Sequence, residues 1–182
     1  MAGELVTQLD PGSFYRETST GYDLVPTSGL TGTMRGISLQ KINPGSASGT
    51  PAVAAEWLDA ITTIPGNLTM ATGLTFYLQV CDDGSDATDL GKVVKFGIAV
   101  KRLNAGSTTD LSTGAGTEQT GTVTLQSSTG AVSIFTLAIA LANLNSAAVG
   151  DAIGIRIRRM GQDAADTCNG RIILVGGHVK NT

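Results

Sequence analysis

Charge is what this sequence has least of. Asp, Glu, Lys and Arg supply 15% of its 182 residues, against about 25% in an average soluble protein. Lys and Arg together number 12 and the formal net charge is -3. Neutralising a phosphate backbone needs clustered Lys and Arg, so nucleic acid is excluded as a partner. Aromatic residues are also scarce, at 4%, and there is a single histidine, His178. Any Ser/His/Asp or Cys/His machinery would have to be built around that one imidazole. Cys81 and Cys168 lie far apart with no CxxC spacing, which leaves metal-thiolate and thioredoxin-type chemistry without support; both are expected to be buried free thiols. No stretch approaches the roughly 18 apolar residues of a spanning helix. The opening MAGELVTQLDPGSFYRE has no basic start followed by an apolar core, so the reading is of a chain kept in solution, away from membranes.

Gly, Ala, Thr and Ser fill the place of charge, while the apolar fraction of 41% is ordinary. The length suits one domain with a real core and no need of a stapling metal or disulfide. Ala60 to Cys81 and Gln119 to Gly150 contain no charged residue at all. A monomeric sandwich normally places Lys, Glu or Asp on the outer faces of its strands. Their absence predicts faces buried against further copies of the chain.

Residues 1–32 hold Pro11, Gly12, Gly21, Pro26 and Gly29, which break any period, and read as an extended arm ahead of a domain over 33–182. Thereafter short β-type runs alternate with Gly, Ser, Asn and Asp turns. Leu74, Phe76, Leu78 and Val80 alternate with Thr75, Tyr77 and Gln79; Val94, Phe96, Ile98 and Val100 alternate with Lys95, Gly97, Ala99 and Lys101. These two strands are expected to pair antiparallel. Val123 and Leu125 mark a shorter strand. The Ala content of Ser133 to Leu141 would suit a helix, but Phe135, Leu137, Ile139 and Leu141 recur at period two and favour a strand. Ile153, Ile155 and Ile157 alternate with Gly154, Arg156 and Arg158, and Ile172 to Val175 is apolar on both faces, hence covered on both. A strand around Met34 to Ile42 and an element at Ala52 to Leu58, strand or short helix after Thr50-Pro51, bring the count to about eight. That is the number of an antiparallel jelly-roll β-sandwich.

The run Gly150 to Asp163, the pair Asp166-Thr167 and the strand Ile172 to Val179 resemble the closing hairpin of jelly-roll domains in tailed-phage head fibres and decoration or cement proteins. Ile64-Pro65-Gly66-Asn67, leading into Leu74 to Val80 and then Val93 to Lys101, fits the same group. The resemblance covers Trp57 to the end and rests on hydrophobic spacing and turn chemistry. It implies a homotrimer of tumour-necrosis-factor-like jelly rolls on the capsid surface of a virion, bound to the major capsid protein and free of cofactors. The arm would supply attachment through Phe14, Tyr15, Arg16, Tyr22 and Leu24, and the trimer interface would draw on Ile173, Val175, His178, Phe135 and Leu137. A lectin-like fibre tip that holds host glycans is the alternative.

Other constellations are weaker. Asp82, Asp83, Asp86 and Asp89 surround Gly84 in one loop, an oxygen-rich pattern that suits Ca²⁺, but a solvated hairpin loop explains the same letters. Asp163 and Asp166 near Arg156, Arg158, Arg159 and Arg171 could suggest the paired carboxylates of sugar hydrolysis; with no aromatics nearby, ion pairing across a turn is the simpler account. His178 has no nucleophile elbow beside it, so no enzymatic activity is expected. Trp57, the single tryptophan, reads as core before it reads as a sugar platform.

Overall fold

The computed structural model describes residues 3–10, 15–16, 37–39, 57–84, 87–104, 106, 111 and 114–182. Ten strands occur in it: β1 (Leu5–Leu9), β2 (Tyr15–Arg16), β3 (Ile37–Leu39), β4 (Trp57–Thr63), β5 (Gly73–Asp82), β6 (Val93–Leu103), β7 (Gln119–Thr124), β8 (Ser133–Ala140), β9 (Ala152–Arg159) and β10 (Ile172–Asn181). One sheet runs β1-β10-β5-β8, with β3 also on β10; the second runs β2-β4-β9-β6-β7, and every pairing is antiparallel. Omitting the short β2 and β3, the chain crosses between two four-stranded sheets in the order of a jelly roll. No helix among the described residues is long and apolar enough to cross a membrane.

Alternation builds the core. Leu74, Phe76, Leu78 and Val80 of β5, Val94, Phe96, Ile98 and Val100 of β6, and Ile153, Ile155 and Ile157 of β9 are all fully buried in one cluster between the sheets. Phe96 and Phe135 meet across the sandwich with ring centroids 5.1 Å apart and planes tilted by 59°, a favourable aromatic geometry. Ser133 to Ala140 is a strand, as its period-two pattern predicts.

Three expectations about neighbours are corrected. β5 and β6 do not pair: β5 lies between β10 and β8, and β6 between β9 and β7. The loop between them, with a 3-10 turn at Ala87–Asp89, carries the chain from one sheet to the other. For the same reason β9 and β10 form no closing hairpin; they belong to opposite sheets. Within the expected arm, both described pieces are strands. Leu5–Leu9 pairs with β10, and Val6 and Leu9 join the core; Tyr15–Arg16 pairs with Asp59 and Leu58 of β4. Phe14, Tyr22 and Leu24 lie outside the described residues, as do the side chains of Tyr15 and Arg16.

Candidate functional site

The two outer faces of the sandwich differ in chemistry. On the β4-β9-β6-β7 sheet, opposed charges satisfy one another. Arg156 Nε donates to Asp59 Oδ1 at 2.8 Å, and its Nη1 donates to the Leu111 carbonyl at 3.1 Å. Arg158 grips Glu118 in a two-point contact of 2.6 and 2.5 Å. Both guanidiniums stand over the Trp57 ring, 4.6 and 4.9 Å from its centroid. Trp57 is therefore half-buried on an outer face and not in the core. Leu111 folds onto this face above Gly154, where an added Cβ would come within 2.2 Å of a Leu111 methyl. The result is a network of paired charges that ties Leu111 and Glu118 to β9.

The other sheet carries polar side chains around a hollow. A shallow depression of about 460 Å³ lies over β10, lined by Leu5, Gln8, Asp10, Gln79, Val175, Gly176, Gly177, His178 and Lys180. A bulge in β10 between Leu174 and Gly176 shifts the register against β5, and the glycines that follow make a floor with no side chains. At Gly177 a Cβ would sit 2.4 Å from the Tyr77 carbonyl, so crowding requires glycine there. At Gly176 the nearest atoms to a Cβ would be 3.5 Å (Leu9 carbonyl oxygen) and 3.8 Å (Gln79 Oε1) away, ordinary contact distances. Gly176 is thus not imposed by packing; it keeps the floor low.

Register brings the walls together. Gln8 lies opposite His178 on β10, and His178 lies opposite Tyr77 on β5. The Tyr77 and His178 rings stack with centroids 4.6 Å apart and planes 13° from parallel, and Lys180 Nζ stands 5.5 Å from the Tyr77 centroid. Burial, and then the Lys180 charge, hold His178 below its usual pKa of 6.5, so at neutral pH its ring is uncharged and offers one donor and one acceptor. Among the described residues, the amides of Gln8 and Gln79 make no side-chain hydrogen bond to the protein. No serine, cysteine or glutamate among the described residues lines the depression.

Of the residues expected at a trimer interface, Phe135 is fully enclosed in the core and Ile173 is buried, so neither is available for a subunit contact. The other three, Val175, His178 and Leu137, are partly exposed, and the first two line the depression. In the acidic loop, Asp82 and Asp89 are engaged by separate backbone groups. Asp82 accepts from the Gly84 and Gly130 N–H groups at 2.9 and 2.8 Å, while Asp89 accepts from the Asn169 N–H at 2.8 Å. Asp86 lies outside the described residues. Among those described, no group of three or more His, Cys, Asp or Glu is placed to hold a metal ion. Of the two acids, Asp166 pairs across the turn that follows β9, where Arg159 clasps both its oxygens, whereas Asp163 is met from β6 by Lys95 Nζ at 2.6 Å.

No family model matches the chain, and neither does any curated protein. Several solved structures are similar to this chain at low identity. They include the CBM22-1–GH10 modules of a Clostridium thermocellum endo-1,4-β-D-xylanase with xylohexaose (12% identity, TM-score 0.45, 98% of this chain and 28% of that one). A CBM22 tandem domain from Paenibacillus barcinonensis is similar at 10% identity and TM-score 0.49, over 100% of this chain and 50% of that one. A xylan-binding module, CBM15, is similar at 12% identity and TM-score 0.42, over 99% and 98%. The chain thus spans half or less of the first two.

Proposed function

We propose that this chain is a non-catalytic binding module that holds a neutral oligosaccharide in the depression over β10. The observation that carries the reading is the pair Gln8 and Gln79, two amides without side-chain partners among the described residues, beside a glycine floor. A primary amide carries two donors and an acceptor, which matches a ligand whose hydroxyls both give and accept. His178, stiffened by the Tyr77 ring stacked against it, adds a wall with an apolar body and polar tips. The shallow, open form suits a chain lying across the sheet better than a small molecule, which would call for an enclosing pocket.

In the phage setting that the sequence resemblance implies, such a module would stand at a fibre tip and hold host glycans. The capsid-cement role has less behind it, since two of its five expected interface residues, Phe135 and Ile173, are spent inside the monomer. A glycan array probed with the wild-type chain and with a Gln8→Ala, Gln79→Ala double variant tests the proposal. Binding to a class of neutral oligosaccharides that the double variant loses is the expected result. Silence across the array, or unchanged binding by the variant, overturns it.

A further inference from the structure

β8 ends its sheet. Its one ladder is with β5, from Gly73↔Ala140 to Val80↔Ser133, and among the described residues its second edge makes no backbone pairing. Natural sandwiches protect such an edge with Lys, Pro, a bulge or a covering segment. β8 reads Ser-Ile-Phe-Thr-Leu-Ala-Ile-Ala: eight residues with no charge and no proline, in a register with β5 that has no shift. The charge-free stretch around it runs from Gln119 to Gly150. Ile134 points outward with 61% of its surface exposed, and Val132, on the same side, is exposed as well. Leu137 faces the core yet is only partly buried.

We infer that two copies of this chain pair antiparallel through their β8 edges and form a two-fold dimer with one continuous sheet. The sequence of β8 selects both the partner and the register. In an antiparallel pair, directly opposed residues lie on the same face, and a two-fold contact must be self-complementary. Centring the axis on Thr136 meets both demands. Thr136 then opposes Thr136 of the second copy, Ile134 opposes Ala138, and Val132 opposes Ala140, which covers the exposed aliphatics with small neighbours. No pair in this register sets like charges against each other.

The two-fold axis stands perpendicular to the sheet, so both β10 depressions face the same way. Five strand spacings separate the two β10 strands, roughly 24 Å at about 4.8 Å each. If the depressions hold glycans, a point that rests on the reading above, the dimer binds one long chain or two neighbouring ones with a gain from multivalency.

Light scattering on the full chain reads the mass directly, with no ligand involved. The expected mass is twice 18.5 kDa, falling to the monomer value in Thr136→Lys, which sets two ammonium groups face to face on the axis. Thr136→Cys reports the register without disturbing the edge: under oxidant it should yield a disulfide-linked dimer, whereas Ile134→Cys, opposed to Ala138, should not. A monomer at every concentration, meaning that the edge takes a foreign strand or none, overturns the dimer; so does a trimer, or crosslinking at Ile134 in preference to Thr136. A dimer that ignores every glycan would sink the binding proposal and leave this one standing.

Discussion

Tyr77 and His178 face each other across β5 and β10, and their rings stack 4.6 Å apart. The strand register fixes that contact, and it places the only histidine of the chain in the wall of the depression over β10. Because burial and then Lys180 hold the imidazole below its ordinary pKa of 6.5, the neutral ring is the folded form at pH 7. A pKa lower in the folded state than in the unfolded one means that the unfolded chain takes up the proton first. Stability from this source is therefore complete above about pH 6.5 and declines as the pH falls below it. Urea midpoints should fall between pH 6.5 and 5, and His178→Phe, which keeps the stack, should remove that slope. An identical pH profile for the variant would show that the imidazole is not its origin.

The Arg159–Asp166 pair is deeply enclosed, with side chains 2% and 0% exposed and two bonds of 2.9 and 2.8 Å. Arg159 also donates to the Cys168 and Gly170 carbonyls, so it pins the strand-to-strand loop after β9. Burial works against its charge, but the Asp166 hydrogen bond and carboxylate outweigh that and raise its pKa. Removing one partner strands the other, at a cost of about 3–5 kcal/mol. Asp166→Ala should lower stability by that amount in urea titration, and Arg159→Met with Asp166→Leu together should recover much of it. A loss under 1 kcal/mol for the single change would contradict the assignment.

Cys81 and Cys168 are buried and free. Burial pushes each thiol up to about 11, helped at Cys81 by Asp82 and Asp83, and at Cys168 by Asp89 and Asp166 against the opposing pull of Arg159. Only the thiolate reacts. In a thiol-reagent assay at pH 8 the folded chain should be inert and the urea-unfolded chain should release two equivalents. Fast labelling of the native chain would show that these sites open.

Much of the sandwich is legible in the sequence, because alternation reports directly which side chains face inward. Leu74 to Val80, Val94 to Val100 and Ile153 to Ile157 all bury the residues their pattern selects. Pairing is less legible: a period of two fixes the face of a strand but not its neighbour, which is why β5 and β6 read as a hairpin and stand in opposite sheets. β1 escapes notice since its register shift between Leu5 and Thr7 breaks the alternation of Val6 and Leu9. The site is harder still. Gln8 and Gln79 meet over β10 only through long-range register, and neither residue type is distinctive. The available signal is the Gly176-Gly177 doublet inside an apolar strand next to the only histidine, a pattern that marks close approach by something else.

The central claim is that the depression over β10 binds sugar, and titration calorimetry of the best array glycan against wild type and Gly176→Val tests it most directly. The new side chain fills the floor where a Cβ meets nothing closer than 3.5 Å, so the melting temperature should hold within a few degrees. Wild type should bind with measurable heat and the variant should show none. Equal affinity in a folded variant would place any binding elsewhere and contradict the account.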